Sequence, residues 1–441
     1  SYNGGRTLRA CLESLFRLNY PDYEVILVDD GSTDDTPEIA RQFPKLRPIR
    51  HPENRGLSAA RNTGIAAATG EIVAFTDSDC RADEDWLYYL IGDWLKTDYV
   101  GMGGHNFLPP DDSLVASAVM VSPGGPAHVM LTDREAEHIP GCNMAFYKWV
   151  LTEIDGFDPV FRKAGDDVDL CWRLEERGHK IGFSPGGFVW HYRRSTVGAY
   201  LQQQRGYGEA EALLARKHPE YFNSVGRSIW RGRIYAPARA GIVVEPSFIY
   251  RGTFASGFFQ KLYAAAPAYG VMLCTSLEYH ALITLPLLVL AVAVRPLWPL
   301  AVTSLGLSLA VCAVAAVQAN LPPNKRQFWS RPLIAAMFLL IARGLARYLP
   351  LLRLRATHHP AHRRAQTLEG LWRHRPRDQV SFESTGDVDR YTLLRAVLAQ
   401  LEQEKWQTKI DTGWADHDLE IFGPRWSRVQ LTTVSEVRDR G

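Results

Sequence analysis

Two carboxylates one residue apart, Asp77-Ser78-Asp79, follow directly on the apolar run Glu71-Ile72-Val73-Ala74-Phe75. At a strand end such a pair offers oxygen ligands to a hard cation, which keeps part of its water and shares the rest of its shell with substrate phosphates. Mg²⁺ or Mn²⁺ is the cofactor this chemistry implies. Alone the triplet decides nothing, because the spacing arises by chance in many loops. A second acidic cluster, Asp29-Asp30-Gly31, closes the run Tyr23-Glu24-Val25-Ile26-Leu27-Val28, and a third lies at Gly165-Asp166-Asp167-Val168-Asp169-Leu170. There Asp167 can be read as a first-turn helix acid, and Asp169 with Arg173 as an i,i+4 structural pair. The six cysteines (Cys11, Cys80, Cys142, Cys171, Cys274, Cys312) form no C-x-x-C pair, which points away from a zinc ribbon or disulfide scaffold and toward a reducing compartment.

The elements that must position these acids alternate in type. Leu8, Cys11, Leu12, Leu15 and Phe16 fall on one helix face, and a strand over 23–28 follows. Ser32-Thr33-Asp34-Asp35-Thr36-Pro37 opens a second helix, Leu57 to Thr69 makes an Ala-rich third stopped by Gly70, and 71–75 is a strand again. This is an α/β pattern, and in such sheets ligands sit beyond the carboxyl ends of strands, where the first two clusters fall.

Taken together, Val28-Asp29-Asp30-Gly31-Ser32-Thr33-Asp34, Asn54-Arg55-Gly56, Ala60-Arg61-Asn62, Asp77-Ser78-Asp79 and Gly165-Asp166-Asp167 resemble, in order and spacing, the family 2 glycosyltransferases. The resemblance covers roughly residues 1 to 210 and implies a GT-A fold, a Rossmann-like nucleotide-diphospho-sugar transferase domain. It implies a nucleotide-diphosphate sugar as donor. By this resemblance Asp30 matches the acid that hydrogen-bonds the nucleotide base, with Ser1 in the same pocket, and Arg61 matches a basic residue that contacts the nucleotide. Asp79 matches the main metal ligand, Asp77 supports ribose and metal, and His191 matches a position that adds a metal ligand in some members. A packed strand-end histidine is the other reading of His191. Arg193 and Arg194 could hold the diphosphate or be solvated charges. Asp166-Asp167 stands where the family usually has Glu-Asp, so Asp167 is the expected catalytic base and inversion the expected outcome. Gly141, Asn143 and Asp166 are expected on the acceptor side. The family opens with a strand before Ser-Tyr-Asn; since the chain starts at Ser1-Tyr2-Asn3, that strand is expected to be missing, and the tail to be truncated.

Residues 277–355 are of another material. Glu278 to Val294 and Leu300 to Val317, the latter without a charge, read as two membrane spans joined at Arg295-Pro296-Leu297-Trp298-Pro299, and Leu333 to Ala342 as an interfacial helix. Lys325, Arg326, Arg331, Arg353, Arg355, Arg363 and Arg364 then place the catalytic domain (1–225) and a small α+β tail (378–441) on the cytoplasmic face of the cell membrane. Residues 226–276 are expected to be a juxtamembrane linker. Tyr391 to Trp406 predicts an amphipathic helix, and 419–422 and 429–433 predict strands. With 50 basic and 48 acidic side chains the net charge is +2, so no whole-molecule attraction to nucleic acid is expected.

The expected partners are therefore the sugar donor, a lipid-linked or cell-envelope glycan acceptor, and the membrane. Gln202-Gln203-Gln204-Arg205-Gly206 resembles the Gln-x-x-Arg-Trp segment of processive synthases but has Gly206 in place of Trp. This favours single transfer over polymer synthesis. A non-catalytic nucleotide-sugar-binding scaffold is the reading from another class.

Overall fold

A computed structural model describes residues 1–222, 228–235, 242, 248–249, 262–263, 269–353, 390–404, 406–410, 418–422 and 428–433. The chain divides into two compact units: Ser1–Leu214 with Gly232–Phe248 and Tyr263–Leu354, and Ala215–Arg231 with Ile249–Leu262 and Arg355–Gly441.

In the first unit, α1 (Gly5–Leu15) buries Leu8, Cys11 and Leu12, the face predicted for it, against Val25, Leu27 and Ile39. The strand β1 (Ile26–Asp29) pairs in parallel with β2 (Arg47–Arg50). The helix α2 (Thr36–Ala40) is only five residues long, since Pro37 lies in its first turn and Asp34 spends its carboxylate on the Thr36 and Gly5 backbone amides. The Ala-rich helix α3 (Leu57–Ala67) leads to β3 (Ile72–Thr76), which ends one residue before Asp77.

The main sheet adds β4 (Cys80–Ala82), β5 (Gly101–Phe107), β6 (His128–Met130), β7 (Glu135–His138), β8 (Asn143–Tyr147), β9 (Ile181–His191) and β10 (Arg233–Tyr235). Its order is β10-β6-β7-β9-β5-β8-β3, with β4 pairing β9. Only β5 and β9 run parallel; every other named pair is antiparallel, so the sheet is mixed. One apolar cluster sets Val73, Phe75 and Phe146 against Leu151, Phe157, Leu170 and Leu174. Another sets Met102, Ala145 and Val189 against Trp86, Leu90 and Trp94 of α4 (Trp86–Trp94). Two-sided burial explains why β8 reads Asn-Met-Ala-Phe-Tyr rather than alternating.

Further helices are α5 (Leu114–Met120), α6 (Lys148–Glu153), α7 (Asp166–Glu176) and α8 (Val197–Lys217). Among the described residues two helices are long and apolar enough to cross a membrane, Arg295–Gln318 and Ser330–Leu349. Leu277–Ala293, expected as the first span, is shorter and interrupted by a π-turn at His280–Thr284. The third run, expected to be interfacial, extends to 20 residues, broken between Ser330–Met337 and Ile341–Arg353.

These helices pack on the transferase side directly. Ala118 and Val119 of α5 and Tyr200 of α8 share a core with Val311, Cys312, Ala315, Ile334 and Phe338. The Tyr200 hydroxyl donates to the Met337 carbonyl at 3.2 Å. Arg343 and Arg347 ion-pair with Glu211 of α8, and Arg347 also with Glu278. At Gly208 a Cβ would lie 2.3 Å from the Arg343 carbonyl oxygen, so only glycine lets the two backbones approach this closely.

The described part of the second unit includes a helix, Arg390–Gln403, and a three-stranded antiparallel sheet of Gln407–Ile410, Leu419–Phe422 and Arg428–Leu431. Most of 226–268, and Arg355, Arg363 and Arg364, lie outside the described residues.

Candidate active site

The turn after β3 carries Asp77-Ser78-Asp79 into β4, whose Cys80 pairs with His191 at the end of β9. The Asp79 carbonyl accepts from the Tyr192 backbone amide at 2.9 Å, so β9 fixes this carboxylate from behind. Asp77, Asp79 and His191 bring one ligand atom each to within 4.8 Å of one another, although His191 is 112 positions beyond Asp79 (191 − 79).

His191 Nε2 lies 3.3 Å from Asp79 Oδ1, and Arg194 Nη1 lies 3.3 Å from Asp79 Oδ2. Burial alone would raise the Asp79 pKa, but His191, Arg194 and Arg193 hold it down at about 2. Arg193 Nη1 donates to His191 Nδ1 at 2.8 Å, and Arg193 Nη2 donates to Asn106 at 2.8 Å. Arg193 takes the Nδ1 side of the ring, so Nε2 is the ring atom that faces the acids. Asp79 Oδ1 is buried with no hydrogen-bond donor. An orphaned carboxylate oxygen beside a second carboxylate and an oriented imidazole is a donor set that fits Mg²⁺ or Mn²⁺.

Arg61 joins this cluster to the start of α7. Its guanidinium is buried, donates to Asp166, to Asp77 at 3.2 Å and to the Gly141 carbonyl at 3.1 Å, and lies 5.3 Å from the centre of the Phe157 ring. These partners make Arg61 a strut under the cleft. Asp166 is fully buried, so it braces Arg61 rather than meeting an acceptor. Burial, with Asp167 and Asp77 nearby, pushes the Asp166 pKa up to about 6 despite Arg61.

Asp167 is better placed. Gly165 adopts φ +85°, where a side chain is strained, and turns the chain so that Asp166 points inward and Asp167 stays one-fifth exposed. Asp167 Oδ2 accepts from the Gly141 amide at 2.9 Å, and His138 Nε2 lies 3.6 Å away. Burial opposes its ionisation, but His138, Arg61 and the Gly141 amide outweigh that and hold its pKa well below the usual range.

Two further expected residues are engaged in the fold. Asn143 is fully buried, and its amide bonds Trp86 Nε1 and the His105 and Gly187 carbonyls. Asp30 accepts from His51 Nδ1 at 2.7 Å and from the Arg55 and Gly56 amides at 2.9 and 2.8 Å, which holds the 54–56 turn. Its neighbour Asp29 keeps Oδ2 without a hydrogen bond, 3.5 Å from Arg50 Nε. Ser1, expected in the Asp30 pocket, accepts from the Asp30 backbone amide at 2.9 Å, and its hydroxyl donates to Ser78 Oγ at 3.1 Å. Sequence reasoning missed His138, which carries no local signal.

A mixed α/β sheet with acids at a strand end and a second acid across the cleft defines the GT-A class of sugar-nucleotide-dependent transferases. The family model "Glycosyl transferase family 2" matches residues 1–153. The glycosyltransferase AglE of Haloferax volcanii is 44% identical over 217 residues, 48% of this chain and 70% of that protein. This chain belongs to the family 2 glycosyltransferases. A pre-mycofactocin glycosyltransferase of Mycobacterium tuberculosis is 30% identical over 238 residues, 49% of this chain and 47% of that protein. The chain thus spans about half the length of the mycobacterial relative it matches. Among solved structures, the Pyrobaculum calidifontis mannosyltransferase PcManGT is 22% identical, with coverage of 48% of this chain and 60% of that one. Its TM-score of 0.37 is too low to carry an argument about ligands.

Proposed function

We propose that the protein transfers one sugar, with inversion, from a nucleotide-diphosphate sugar to a hydroxyl of a lipid-linked or cell-envelope acceptor at the cytoplasmic face of a membrane. The observation that carries this reading is the single buried guanidinium, Arg61, that binds both Asp77 on the donor side and Asp166 beside Asp167. One rigid ion-pair bridge thereby sets the spacing between cation ligands and base.

Asp77, Asp79 and His191 would hold Mg²⁺ or Mn²⁺, which when bound offsets the charge growing on the departing nucleoside diphosphate. Arg194, half-exposed beside Asp79, adds positive charge at the same place. Ser1 and Asp29 border the nucleotide end. Asp167, ionised at neutral pH, takes the proton of the attacking hydroxyl. A bound acceptor displaces water from Asp167 and raises its proton affinity at the moment it is needed. One base and one leaving group give a single displacement, hence inversion.

The test is a panel of nucleotide sugars scored for metal-dependent release of nucleoside diphosphate, with wild type and Asp79→Ala in parallel. Turnover of one donor, lost in Asp79→Ala, is expected. Full transfer by Asp79→Ala would refute the assignment. Products resolved by size should carry one added sugar; a long ladder would instead make the protein a processive synthase.

A further inference from the structure

Below the Asp77–Asp79 carboxylates lies a second ligand cluster that the transfer reaction does not use. Cys80, Cys142 and His191 also bring one ligand atom each to within 4.8 Å of one another, and all three are buried. Cys80 is the cross-strand partner of His191 on β4 and β9, and Cys142 directly precedes β8, whose first residue Asn143 is locked by three hydrogen bonds. Both cysteines belong to the apolar cluster around Trp86 and Val189, and two thiols in such a core are ordinarily mere filling. What distinguishes this pair is the imidazole between them and the acids.

We propose that Cys80, Cys142 and His191 form a site for a thiophilic divalent cation such as Zn²⁺ or Cd²⁺, which excludes the hard cation from Asp77 and Asp79 because both sites need the same imidazole nitrogen. Tetrahedral zinc with Zn–S near 2.3 Å sets its ligand atoms roughly 3.8 Å apart, so a cluster already inside 4.8 Å needs only a small contraction. His191 Nε2 faces Asp79, with Nδ1 turned to Arg193, so the nitrogen both sites would use can serve one cation at a time. Binding releases the two thiol protons and the His191 Nε2 proton to solvent, and the two thiolates cancel the charge of the cation. Asp79 Oδ1, 3.3 Å from His191 Nε2 and without a hydrogen bond, is placed to complete the shell from above.

The experiment titrates Cd²⁺ into the chelator-treated full chain and reads the ultraviolet thiolate-to-cadmium charge-transfer band. The band should saturate at one ion per chain. Cys80→Ala and Cys142→Ala should each weaken binding at least tenfold, with Cys80→Ser as the alternative should alanine unfold the protein by circular dichroism. Asp77→Asn should keep the band. No band in the folded wild type, or an unchanged band in both cysteine variants, overturns the site. Exclusion of the hard cation rests on the reading proposed above and is measured separately, as Mn²⁺ released on adding Cd²⁺. Displacement supports exclusion. Mn²⁺ that stays bound alongside the thiolate band overturns exclusion alone, whereas failure of Mn²⁺ to bind at all counts against the carboxylate site.

Discussion

His138 Nε2 lies 3.6 Å from Asp167 Oδ2, while His138 Nδ1 donates to the Ala127 carbonyl at 3.1 Å. The backbone contact fixes the ring, so the other nitrogen is held toward the proposed base, with Arg61 and Asp166 as the other charged groups near it.

His138→Gln keeps the bulk and removes the imidazole that favours ionised Asp167. Its pKa should therefore rise, and the acid limb of kcat/KM against pH should move to higher pH, with the alkaline side little changed. A pH–rate profile reads this directly. A lower rate at every pH with an unmoved acid limb would mean that His138 only supports the fold.

Asp167→Asn should reduce kcat by roughly 10²–10⁴-fold, the usual worth of a positioned base, and leave donor affinity near wild type. Isothermal titration with donor and single-turnover transfer separate the two effects. Comparable loss of donor binding would move Asp167 out of the base role.

Asp166 supplies a stability prediction. Its folded pKa of about 6 exceeds the usual aspartate value, so the native state favours the protonated acid. Wild-type stability should then fall as pH rises from about 4 to about 6, by on the order of 3 kcal/mol for two units. Asp166→Asn removes this slope, and thermal midpoints across that window should be flatter than in the wild type. An unchanged slope would place the titration elsewhere.

On the proposed reading two helices cross a membrane and return the chain to its starting side. A reporter fused after Gly441 should therefore read as cytoplasmic; an external signal would require an odd number of crossings.

Local chemistry made much of this legible. The helix face of Leu8, Cys11 and Leu12 and the strand before Asp77 follow from periodicity and motif order. The long-range partners of the site residues were not legible: Arg61 gains one 105 positions away, Asn143 bonds Trp86, His105 and Gly187, and Asp30 bonds His51, 21 positions on. Side chains whose polar atoms could serve a ligand or the fold look alike in sequence, because only long-range packing decides which they serve.

The tight seat of α8 on the Ile341–Arg353 helix at Gly208 leaves no slack between the catalytic cleft and the apolar helices. If those helices lie in a bilayer, the cleft becomes a fixed-height gauge above the lipid surface. Acceptors would then be sorted by how far their hydroxyl stands from its anchor, before any sugar is recognised. Acceptors differing only in spacer length should show a single optimum in kcat/KM, and an even response across lengths would argue for a hinged domain instead.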